Sequence, residues 1–496
     1  MLEPVSHYLP SRNAIAALVF LKRGQLKAAV VGSGPNGLAA AVVLAQHGME
    51  VTVFEADKTV GGGMRSHEGL RAGVIHDMCS AVHPLAIASP FFRELKLERH
   101  GLDFAFPKLD LAHPLDDGSA GLLYRNLSQT TKRMGKDELL WRATFGPLAK
   151  NFNSIASDTL GPVLRVPRSA MWTGLFGFNA VLPASLSALR WREESTRALF
   201  AGIAAHAFSR LDTPLSSSVG TLLIAAAHNT GWPVAVGGSQ SIVKAFLAEL
   251  AQLRVTVICG TRIDSLQQIN DFDVVMLDTT PQDALRILGA RLPKRMQKAY
   301  SQFSHGPGAF KVDFLIEGDI PWSSKALRQA GTVHLGGTFA EIAEAEKSIV
   351  AGKMPQNPFV LLGQQYLADP SRSDGNLNPV WAYAHVPNGF DADATELIVR
   401  QIERFAPNFQ DTIVDSVSFS TEEMQRYNAN YVGGDIIGGA SGARQLIARP
   451  ILSPDPYYTG VSGVYICSSS TPPGAGVHGM CGKHAAESAL KHLHQR

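Results

Sequence analysis

The chain has 496 residues, 45% of them hydrophobic and 18% charged, and this length is sufficient for two domains with substantial cores. The formal net charge of +2 and the lack of a Lys/Arg block argue against a nucleic-acid partner. The four cysteines include no Cys-x-x-Cys pair and no metal-ligand spacing, so we expect neither a dithiol redox centre nor a metal site. A reducing, cytoplasmic compartment is the simplest interpretation.

The first 26 residues precede every strong motif and are predicted to form an N-terminal extension. They contain an apolar run at 14–21 that is too short to cross a bilayer. Its basic residues follow the run, unlike those of a secretory signal. Two interpretations stay open: a packed or frayed extension, and an amphipathic segment that lies on a membrane surface.

Residues 27–55 form a complete dinucleotide-binding pattern of strand, glycine-rich turn, Ala-rich helix, second strand and terminal acid. Gly32 permits a tight turn, Gly34 lets the backbone approach a diphosphate, and Gly37 allows close packing of the helix on the strand. The helix N-terminus then offers free N–H groups to the phosphates. Glu55 is placed to bind ribose hydroxyls, which favours FAD or NAD over NADP.

A second glycine-rich segment follows at 61–65, where Gly61, Gly62 and Gly63 precede Met64 and Arg65. A flexible backbone beside a planar cation is suited to a second contact with a diphosphate.

From 92 to 209 the sequence has helical periodicity, and Trp141, Phe145, Leu148 and Phe152 are spaced along one apolar face. We interpret this stripe as core. The stretch 174–189 has almost no charge, but Gly and Pro interrupt it and it is too short to span a membrane. Buried core, the lining of a substrate tunnel and a surface that dips into lipid remain alternatives.

Alternating helix and strand patterns resume after this region. The sequence predicts a helix at 240–253, a strand at 255–258 and a buried parallel strand within 271–281. The block 305–406 carries two further strand-like segments, KVDFLIEG and VWAYAHV, which indicate a second sheet.

The C-terminal segment 464–496 is the other informative part of the chain. A short strand runs into a turn in which Gly474, Gly476 and Gly479 expose backbone N–H groups, and an Ala-rich helix follows. No strand with a terminal acid comes after this helix, which argues against a second, independent nucleotide-binding fold. The helix N-terminus is offered to a negative or electron-rich group.

Several motifs together resemble the phytoene desaturase-like FAD-dependent oxidoreductases, a group that includes retinol saturase, carotenoid isomerases and the pyridine nucleotide-disulfide oxidoreductase domain 2 proteins. They are the dinucleotide unit, the 61–65 segment, GGSQ at 237–240, WAYAHVP at 381–387, YVGGDIIGG at 431–439 and YICSSSTPPGAGVHGMCGKHAA at 465–486. The resemblance covers nearly the whole chain from Lys27. Unlike a disulfide reductase, however, the chain has no redox-active cysteine pair.

The resemblance implies an α/β fold of the flavin amine oxidase and phytoene desaturase superfamily, with a Rossmann-type FAD-binding domain and an inserted α+β substrate domain. The FAD-binding domain is predicted from 27–90, 213–300 and 421–496, the helical substrate or lid region from 91–212, and the substrate-domain sheet from 301–420. The implied FAD contacts are Gly32, Gly34, Pro35, Asn36, Gly37, Glu55, Ala56, Gly62, Gly63, Met64, Arg65, Val257, Gly474, Gly476, Val477, Gly479 and Met480.

The sequence shows no convincing catalytic triad or carboxylate pair, which is consistent with hydride chemistry carried by the flavin. His385 and His478 are candidate proton donors or contacts to the flavin, although a lone histidine is more often structural. Lys311 is a candidate for holding a water near flavin N5, with a charge on an edge strand as the alternative. Tyr431 is a candidate contact between the substrate cavity and the ring.

Asp435 lies in the same glycine-rich segment as Tyr431. Arg444 and Arg449, which follow it, are predicted either to hold an anionic head group or to lie on the surface of a turn.

Three functions remain open from the sequence. The first is an FAD-dependent desaturase, saturase or isomerase of a hydrophobic isoprenoid or long-chain substrate, with oxygen or a quinone as electron acceptor. The second is a flavin oxidase of amines or other small molecules, which would need aromatic residues beside the flavin, and no Tyr or Trp pair near the C-terminal loop supplies them. The third is a non-catalytic flavin-binding partner. We expect a cytoplasmic protein, and both its contact with a membrane surface and its oligomeric state are left open.

Overall fold

The computed structural model describes residues 25–495. The N-terminal extension predicted for 1–26 falls almost entirely outside the described residues, so both interpretations of its apolar run stay predictions. Sixteen β-strands and eighteen α-helices occur within the described part of the chain.

The strands, in chain order, are β1 (Lys27–Val31), β2 (Glu50–Phe54), β3 (Ser66–His67), β4 (His76–Asp77), β5 (Phe104–Ala105), β6 (Leu109–Pro114), β7 (Ala120–Leu123), β8 (Val234–Ala235), β9 (Thr256–Ile258), β10 (Val274–Leu277), β11 (Gly308–Glu317), β12 (Ala330–Leu335), β13 (Val360–Gly363), β14 (Leu377–Val386), β15 (Ile413–Phe419) and β16 (Val464–Ile466). The helices are α1 (Pro35–Gln46), α2 (Pro84–Ala88), α3 (Pro90–Leu95), α4 (Leu127–Thr131), α5 (Glu138–Lys150), α6 (Phe152–Thr159), α7 (Ala170–Ala180), α8 (Ala184–Ala188), α9 (Glu194–Ala205), α10 (Ser217–Thr230), α11 (Gln240–Gln252), α12 (Pro281–Leu288), α13 (Lys294–Ser301), α14 (Phe339–Val350), α15 (Thr395–Glu403), α16 (Thr421–Tyr427), α17 (Ala443–Ile447) and α18 (Met480–His494).

A five-stranded sheet in the order β16-β10-β1-β2-β9, parallel throughout, carries the dinucleotide-binding unit. Successive side chains point to opposite faces, so Ala28 and Val30 pack in one buried cluster and Ala29 and Val31 in another. Helices α1 and α18 cover the first face, and α12 and α13 cover the second. Burial on both faces explains why the central strands β1 and β10 are nearly continuous apolar runs. The α/β fold and the elements predicted at 240–253, 255–258 and 271–281 are confirmed by α11, β9 and β10.

A second sheet has seven strands in the order β15-β11-β14-β13-β12-β6-β7, with only the β12–β6 pair parallel. The segments KVDFLIEG and VWAYAHV belong to β11 and β14, which pair from Gly308–Val386 to Glu317–Leu377. Strands β6 and β7 lie inside the region that the sequence predicted to be helical. The reason is that LDLAHP has a two-residue period that is too short to stand out within a helical pattern.

The predicted apolar face of the helical region is confirmed as core. Trp141, Phe145 and Leu148 on α5 and Phe152 on α6 are all buried in the main hydrophobic cluster. They anchor the helical region to the first domain.

The uncharged stretch 174–189 forms the end of α7 and all of α8, and much of it faces outward. Phe178 is 69% exposed and Leu189 is 72% exposed, so of the three alternatives left open by the sequence, a fully buried core does not describe this stretch. We call the exposed apolar side chains of this part of the chain the α7–α8 surface: Val163, Leu164, Val166, Met171, Phe178, Val181, Leu186 and Leu189. Among the described residues, no helix combines the length and the apolar character needed to cross a bilayer.

The C-terminal helix α18 packs directly on α1. A Cβ atom at Gly482 would lie 1.8 Å from the carbonyl oxygen of Asn36, so only glycine permits this approach of the two helices. The contact brings the glycine-rich segments at the two ends of the chain together.

Candidate cofactor and active site

The first glycine turn connects β1 to α1. Gly32 has φ of +99°, a conformation that favours glycine, and its N–H donates to the carbonyl of Phe54 at 2.8 Å. A Cβ at Gly37 would lie 2.2 Å from the oxygen of Gly32, so the helix can start this close to the strand only with glycine there. Pro35 and Asn36 begin α1 and line the cavity described below.

Asp278 is a buried acid beside this turn that the sequence analysis did not identify. It follows β10, and its Oδ2 accepts a hydrogen bond from the Gly37 N–H at 3.0 Å. A Cβ at Gly34 would lie 2.8 Å from the same oxygen. Burial, together with the nearby Glu55, raises the pKa of Asp278 to about 7. The sequence could have identified Asp278, because it directly follows a predicted buried parallel strand. The carboxyl ends of such strands are where α/β folds bind ligands.

Glu55 lies at the end of β2, where the sequence placed it. Its Oε2 accepts hydrogen bonds from the N–H of Ser33, at 3.0 Å, and from the Ser33 hydroxyl, and its Oε1 accepts from the N–H of Asp57 at 2.8 Å. The carboxylate therefore bridges the glycine turn and the segment after β2. Val257 lies on the edge strand β9, where it pairs with Val53 of β2. Ala56 follows Glu55 and is exposed.

The 61–65 segment folds back onto the first glycine turn. A Cβ at Gly62 would lie 3.0 Å from the Cα of Gly34, so the two backbones meet. Arg65 is buried and pairs through Nη1 with Asp57 at 2.9 Å, while its guanidinium lies 4.6 Å from the ring centre of Tyr427. The Nε atom of Arg65 is buried without a hydrogen-bond partner among the described residues. A buried, incompletely paired guanidinium is suited to an anionic ligand.

The C-terminal turn between β16 and α18 forms the opposite wall. Gly474, Gly476 and Gly479 have φ between +66° and +131°, and Gly479 is the N-cap of α18. His478 is buried, and its Nδ1 accepts a hydrogen bond from the N–H of Met480 at 3.1 Å. Burial lowers the pKa of His478 to about 4, so the ring is neutral and its proton is carried on Nε2. This Nε2 is a buried donor without a partner among the described residues.

One cavity of about 340 Å³ joins these segments. Among its lining residues are Gly34, Pro35 and Asn36 from the first turn, Gly63 and Met64 from the second, and 473–478 from the C-terminal turn. Beyond them the cavity continues between aliphatic and aromatic side chains: Ala81, Val82, Leu85, Leu160, Phe208, Val219, Leu222, Leu223, Trp232, Leu361, Trp381 and Tyr383. A predominantly apolar cavity thus opens directly from the glycine-rich turns.

An aromatic pair lies in this cavity, contrary to the sequence analysis, which found no such pair near the C-terminal loop. The rings of Trp381 and Tyr383 are 5.1 Å apart at 83°, and Phe208 stacks on Tyr383 at 6.0 Å. The pair was missed because it is distant in sequence from the loop. Alternation along β14 points both side chains to the cavity face, and the fold of the second sheet brings that face to the C-terminal turn.

The four predicted catalytic residues separate into two groups. His478 and Tyr431 line the cavity, and Tyr431 also contacts the 61–65 segment, since a Cβ at Gly63 would lie 2.3 Å from its hydroxyl oxygen. Lys311 and His385 are not among the residues that line the cavity in the described part of the chain.

Lys311 is not a charge on an edge strand, because β11 lies between β14 and β15 and the side chain is 1% exposed. Its ammonium group forms an ion pair with Asp313 and lies 4.7 Å from the ring centre of Phe419. Asp313 also contacts His67 at 3.0 Å. Burial lowers the pKa of Lys311.

His385 is fully buried, and its Nδ1 lies 2.6 Å from Oε1 of Glu346. Its ring lies against Phe208, with centroids 3.8 Å apart and the ring planes tilted by 30°. It therefore supports a residue of the cavity wall and does not form part of the wall itself.

The arginine predictions are also resolved. Arg449 is buried, and its guanidinium donates to the carbonyl oxygens of Ile437 at 2.9 Å, Gly438 at 2.8 Å and Ser469 at 2.9 Å. It holds the glycine-rich segment against the C-terminal turn, and these bonds occupy most of its donors. Asp435 has a similar role, since its carboxylate accepts from the N–H groups of Gly306 and Gly439. Arg444 is exposed.

The residues fit a dinucleotide cofactor with a bulky ring. The first two glycine segments let the backbone pack closely at the start of α1, the Asn36 N–H and the guanidinium of Arg65 suit a diphosphate, and the cavity continues to the C-terminal turn. Asp278 is compatible with a diphosphate when its carboxyl is neutral, which the raised pKa permits.

Comparisons with known proteins agree with this fold. The family described as the NAD(P)-binding Rossmann-like domain matches residues 30–95. The mouse pyridine nucleotide-disulfide oxidoreductase domain-containing protein 2 is 23% identical, with 95% of this chain and 95% of that protein covered. This likeness confirms the resemblance to that group and supports the prediction of an FAD-dependent oxidoreductase.

Solved structures of flavin amine oxidase type share the fold over nearly the whole chain. A putrescine oxidase bound to putrescine is 15% identical, with a TM-score of 0.59 and coverage of 95% of this chain and 99% of that one. A fatty acid isomerase from P. acnes that produces CLA is 15% identical, with a TM-score of 0.54 and coverage of 95% and 98%. At these identities the likeness shows the fold, and it confirms the predicted fold class.

Proposed function

We propose that this chain is an FAD-dependent oxidoreductase that desaturates, saturates or isomerises a hydrophobic, isoprenoid or long-chain substrate. The observation that supports this most directly is the single cavity that runs from the glycine-rich turns into an aliphatic and aromatic chamber. A bound flavin supplies the hydride acceptor at N5. For a desaturation, oxygen or a quinone is the proposed electron acceptor; an isomerisation would return the electrons to the product, and a saturation would draw two electrons from a reduced donor that binds in turn.

Some residues of this chain would bind the cofactor, and others would enclose the substrate and exclude water. The N–H group of Asn36 in the first turn of α1 and the guanidinium of Arg65 would hold the diphosphate, and Glu55 would exchange its bond to Ser33 for the ribose hydroxyls. The neutral ring of His478 lines the cavity at the C-terminal turn and would lie beside the bound flavin. Apolar walls exclude water and align a C–H bond for transfer, which is the main demand of hydride chemistry on the protein.

The test starts from the visible spectrum of the purified protein and the identity of what it releases on denaturation. We expect flavin bands, released FAD and a co-extracted apolar compound. A colourless protein that FAD cannot reconstitute would overturn the proposal.

The assignment of the glycine turn is tested by Gly34→Val, which places a side chain against Asp278 and the α1 amides. We expect this variant to lose more than about 90% of its flavin. Gly174→Val on α7, where no neighbouring atom lies within 4 Å of an added Cβ, is the matched control and should stay yellow. Circular dichroism checks folding, and a folded Gly34→Val protein that retains its full flavin content contradicts the assignment.

An amine or small-molecule oxidase is the second candidate function, and the perpendicular Trp381–Tyr383 pair favours it. Mixing the flavin-loaded protein with candidate substrates in the absence of oxygen distinguishes the two functions. Bleaching of the flavin by a short alkylamine supports the oxidase, whereas bleaching only by long apolar compounds supports the first proposal. If nothing bleaches the flavin, a non-catalytic flavin-binding role gains support.

We also propose that the protein contacts a membrane through the α7–α8 surface. Arg168 and Arg192 are exposed on its borders and suit anionic lipid head groups. Helix α7 packs on α10, whose residues Val219, Leu222 and Leu223 line the cavity. The surface thus lies near a wall of the chamber proposed to hold an apolar substrate.

A further inference from the structure

A cluster of buried histidines lies beside the aromatic part of the cavity. His206, just after α9, lines the cavity, and its Nε2 lies 3.0 Å from Nε2 of His334 on β12. The ring of Trp232, another lining residue, is 5.8 Å from that of His206 in an edge-to-face arrangement. The proposed flavin and diphosphate contacts do not involve His206 or His334.

The neighbouring histidines are already committed to protein partners. His113 donates from Nε2 to the carbonyl oxygen of Gly337 at 2.7 Å, and His385 pairs with Glu346. Behind the pair, Gly202 closes the cluster, because a Cβ there would lie 2.7 Å from Nδ1 of His334. Within the described part of the chain, His206 is therefore the member of the cluster that is open to a molecule in the cavity.

The subsite around His206 has no permanent charge. Asp278 and Arg449 are the only Asp, Glu, Lys or Arg residues among those that line the cavity in the described part of the chain. Asp278 is bonded to the first glycine turn, and Arg449 is bonded to the carbonyl groups of the C-terminal region. Burial lowers the pKa of His206 to about 3, and it also places the pKa of His334 well below its usual value. Both rings are therefore neutral near pH 7.

A neutral imidazole pair selects its ligand by hydrogen bonding. It offers a single N–H donor or ring-nitrogen acceptor, which matches a hydroxyl or a carbonyl oxygen. A carboxylate or an ammonium group would be desolvated here without a charged partner, which is unfavourable. The walls on either side, including Phe208 and Leu361, are apolar and suit a hydrocarbon chain.

We infer that His206, held in place by His334, binds one uncharged oxygen function, a hydroxyl or a carbonyl, on an otherwise hydrocarbon substrate. The inference rests on the proposed function, because it takes the cavity to be the substrate site. According to this inference, the substrate carries a hydroxyl or carbonyl group, which distinguishes it from a plain hydrocarbon, a fatty acid or an amine.

The experiment uses the flavin-loaded protein and a set of probes with one chain length: dodecane, 1-dodecanol, 2-dodecanone, dodecanoic acid and dodecylamine. Binding is followed through the fluorescence of Trp232 and Trp381, which line the cavity, and is confirmed by calorimetry. We expect the alcohol and the ketone to bind about tenfold more tightly than the hydrocarbon, as one hydrogen bond allows. The acid and the amine should bind more weakly than the alcohol.

Three variants test the role of His206. His206→Leu should bind alcohol and hydrocarbon equally, and His206→Asn, which keeps a neutral hydrogen-bonding group, should restore part of the preference. His47→Leu, at an exposed histidine after α1, is the control and should behave like the wild type. Since binding of the hydrocarbon does not depend on His206, it reports that the cavity of each variant is intact.

The outcomes are distinguishable. If every long-chain probe binds but the alcohol preference survives in His206→Leu, or if the acid binds most tightly, the inference is wrong while the proposed function stands. If no apolar probe binds the wild-type protein, both are overturned.

Discussion

At the scale of single residues, burial and one neighbouring group decide the charge of each polar side chain in the site. Asp278 has a raised pKa because it is buried next to Glu55, although the amide of Gly37 donates to its carboxylate. His478 and His206 have lowered pKa values for the same reason, since burial disfavours the charged form of either type of group. The histidines of the cavity are therefore neutral near pH 7, and Asp278 is partly protonated.

The raised pKa of Asp278 predicts a pH-dependent stability. The folded carboxyl has a pKa of about 7 against an ordinary value of 3.8, so the unfolded chain releases this proton first as pH rises. The contribution of Asp278 to stability is present below about pH 4, falls between pH 4 and pH 7, and does not change further above that.

Replacing Asp278 with Asn removes the dependence. We expect Asp278→Asn to gain about 2 kcal/mol or more relative to the wild type between pH 5 and pH 8, measured by urea unfolding at both values. Asp110, whose pKa burial also raises to about 7, titrates equally in both proteins and cancels in the difference. A difference between the two proteins that is constant from pH 5 to pH 8 would show that Asp278 is not protonated in the fold.

At the scale of elements, the site depends on two helices that start at glycine-rich turns and pack on each other. Gly37 lets α1 begin close to β1, and Gly482 lets α18 approach α1. Alternation along β14 adds the third component, since Trp381 and Tyr383 share one face of the second sheet. Each of α1, α18 and β14 forms from its own local sequence pattern, but the site requires all three to be in contact.

The same substitution should have opposite effects at two helical glycines. Gly482→Ala places a methyl group 1.8 Å from the Asn36 carbonyl oxygen and should destabilise the protein by about 2 kcal/mol or more. Gly174→Ala on α7 has no neighbour within 4 Å and should be neutral or stabilise by about 0.5 kcal/mol. Urea unfolding of both variants measures this. Equal stability of the two would mean that α18 does not pack on α1 at this distance.

At the scale of the whole molecule, the exposed apolar residues are not spread evenly. Eight of them lie between residues 163 and 189, and they form the α7–α8 surface next to the helical wall of the cavity. Such concentrations of exposed apolar area mark interaction sites more often than ordinary surface. This arrangement supports delivery of an apolar substrate from a membrane.

The membrane proposal predicts binding to lipid vesicles. The protein should float with vesicles that contain anionic lipid, and binding should weaken as salt rises, because Arg168 and Arg192 border the surface. Phe178→Ser combined with Leu189→Ser should reduce binding about tenfold. Leu139→Ser is the control, since Leu139 is 79% exposed but lies on α5 outside this surface. Equal flotation of the double variant and the wild type, or no flotation of either, would contradict the proposal.

The sequence by itself determined the parts that depend on local patterns. The glycine turn after β1, the buried parallel strands, the apolar stripe on α5 and the C-terminal turn are all found at the predicted positions, because conformational restrictions and side-chain periodicity act over a few residues. The strands β6 and β7 escaped prediction because their runs are too short for a two-residue period to stand out, although they pair with each other as neighbours in the chain.

Only the tertiary structure decided which residues share the cavity. It brought Asp278, Trp381, Tyr383 and His206 into one cavity with the glycine turns, and it placed Lys311 in a buried ion pair with Asp313 and His385 in a buried contact with Glu346, both outside the lining of the cavity. These positions follow from the order of strands in two sheets and from the contact of α18 with α1, which join residues hundreds of positions apart. The burial that sets their pKa values arises only from that assembly, so no local pattern in the chain carries it.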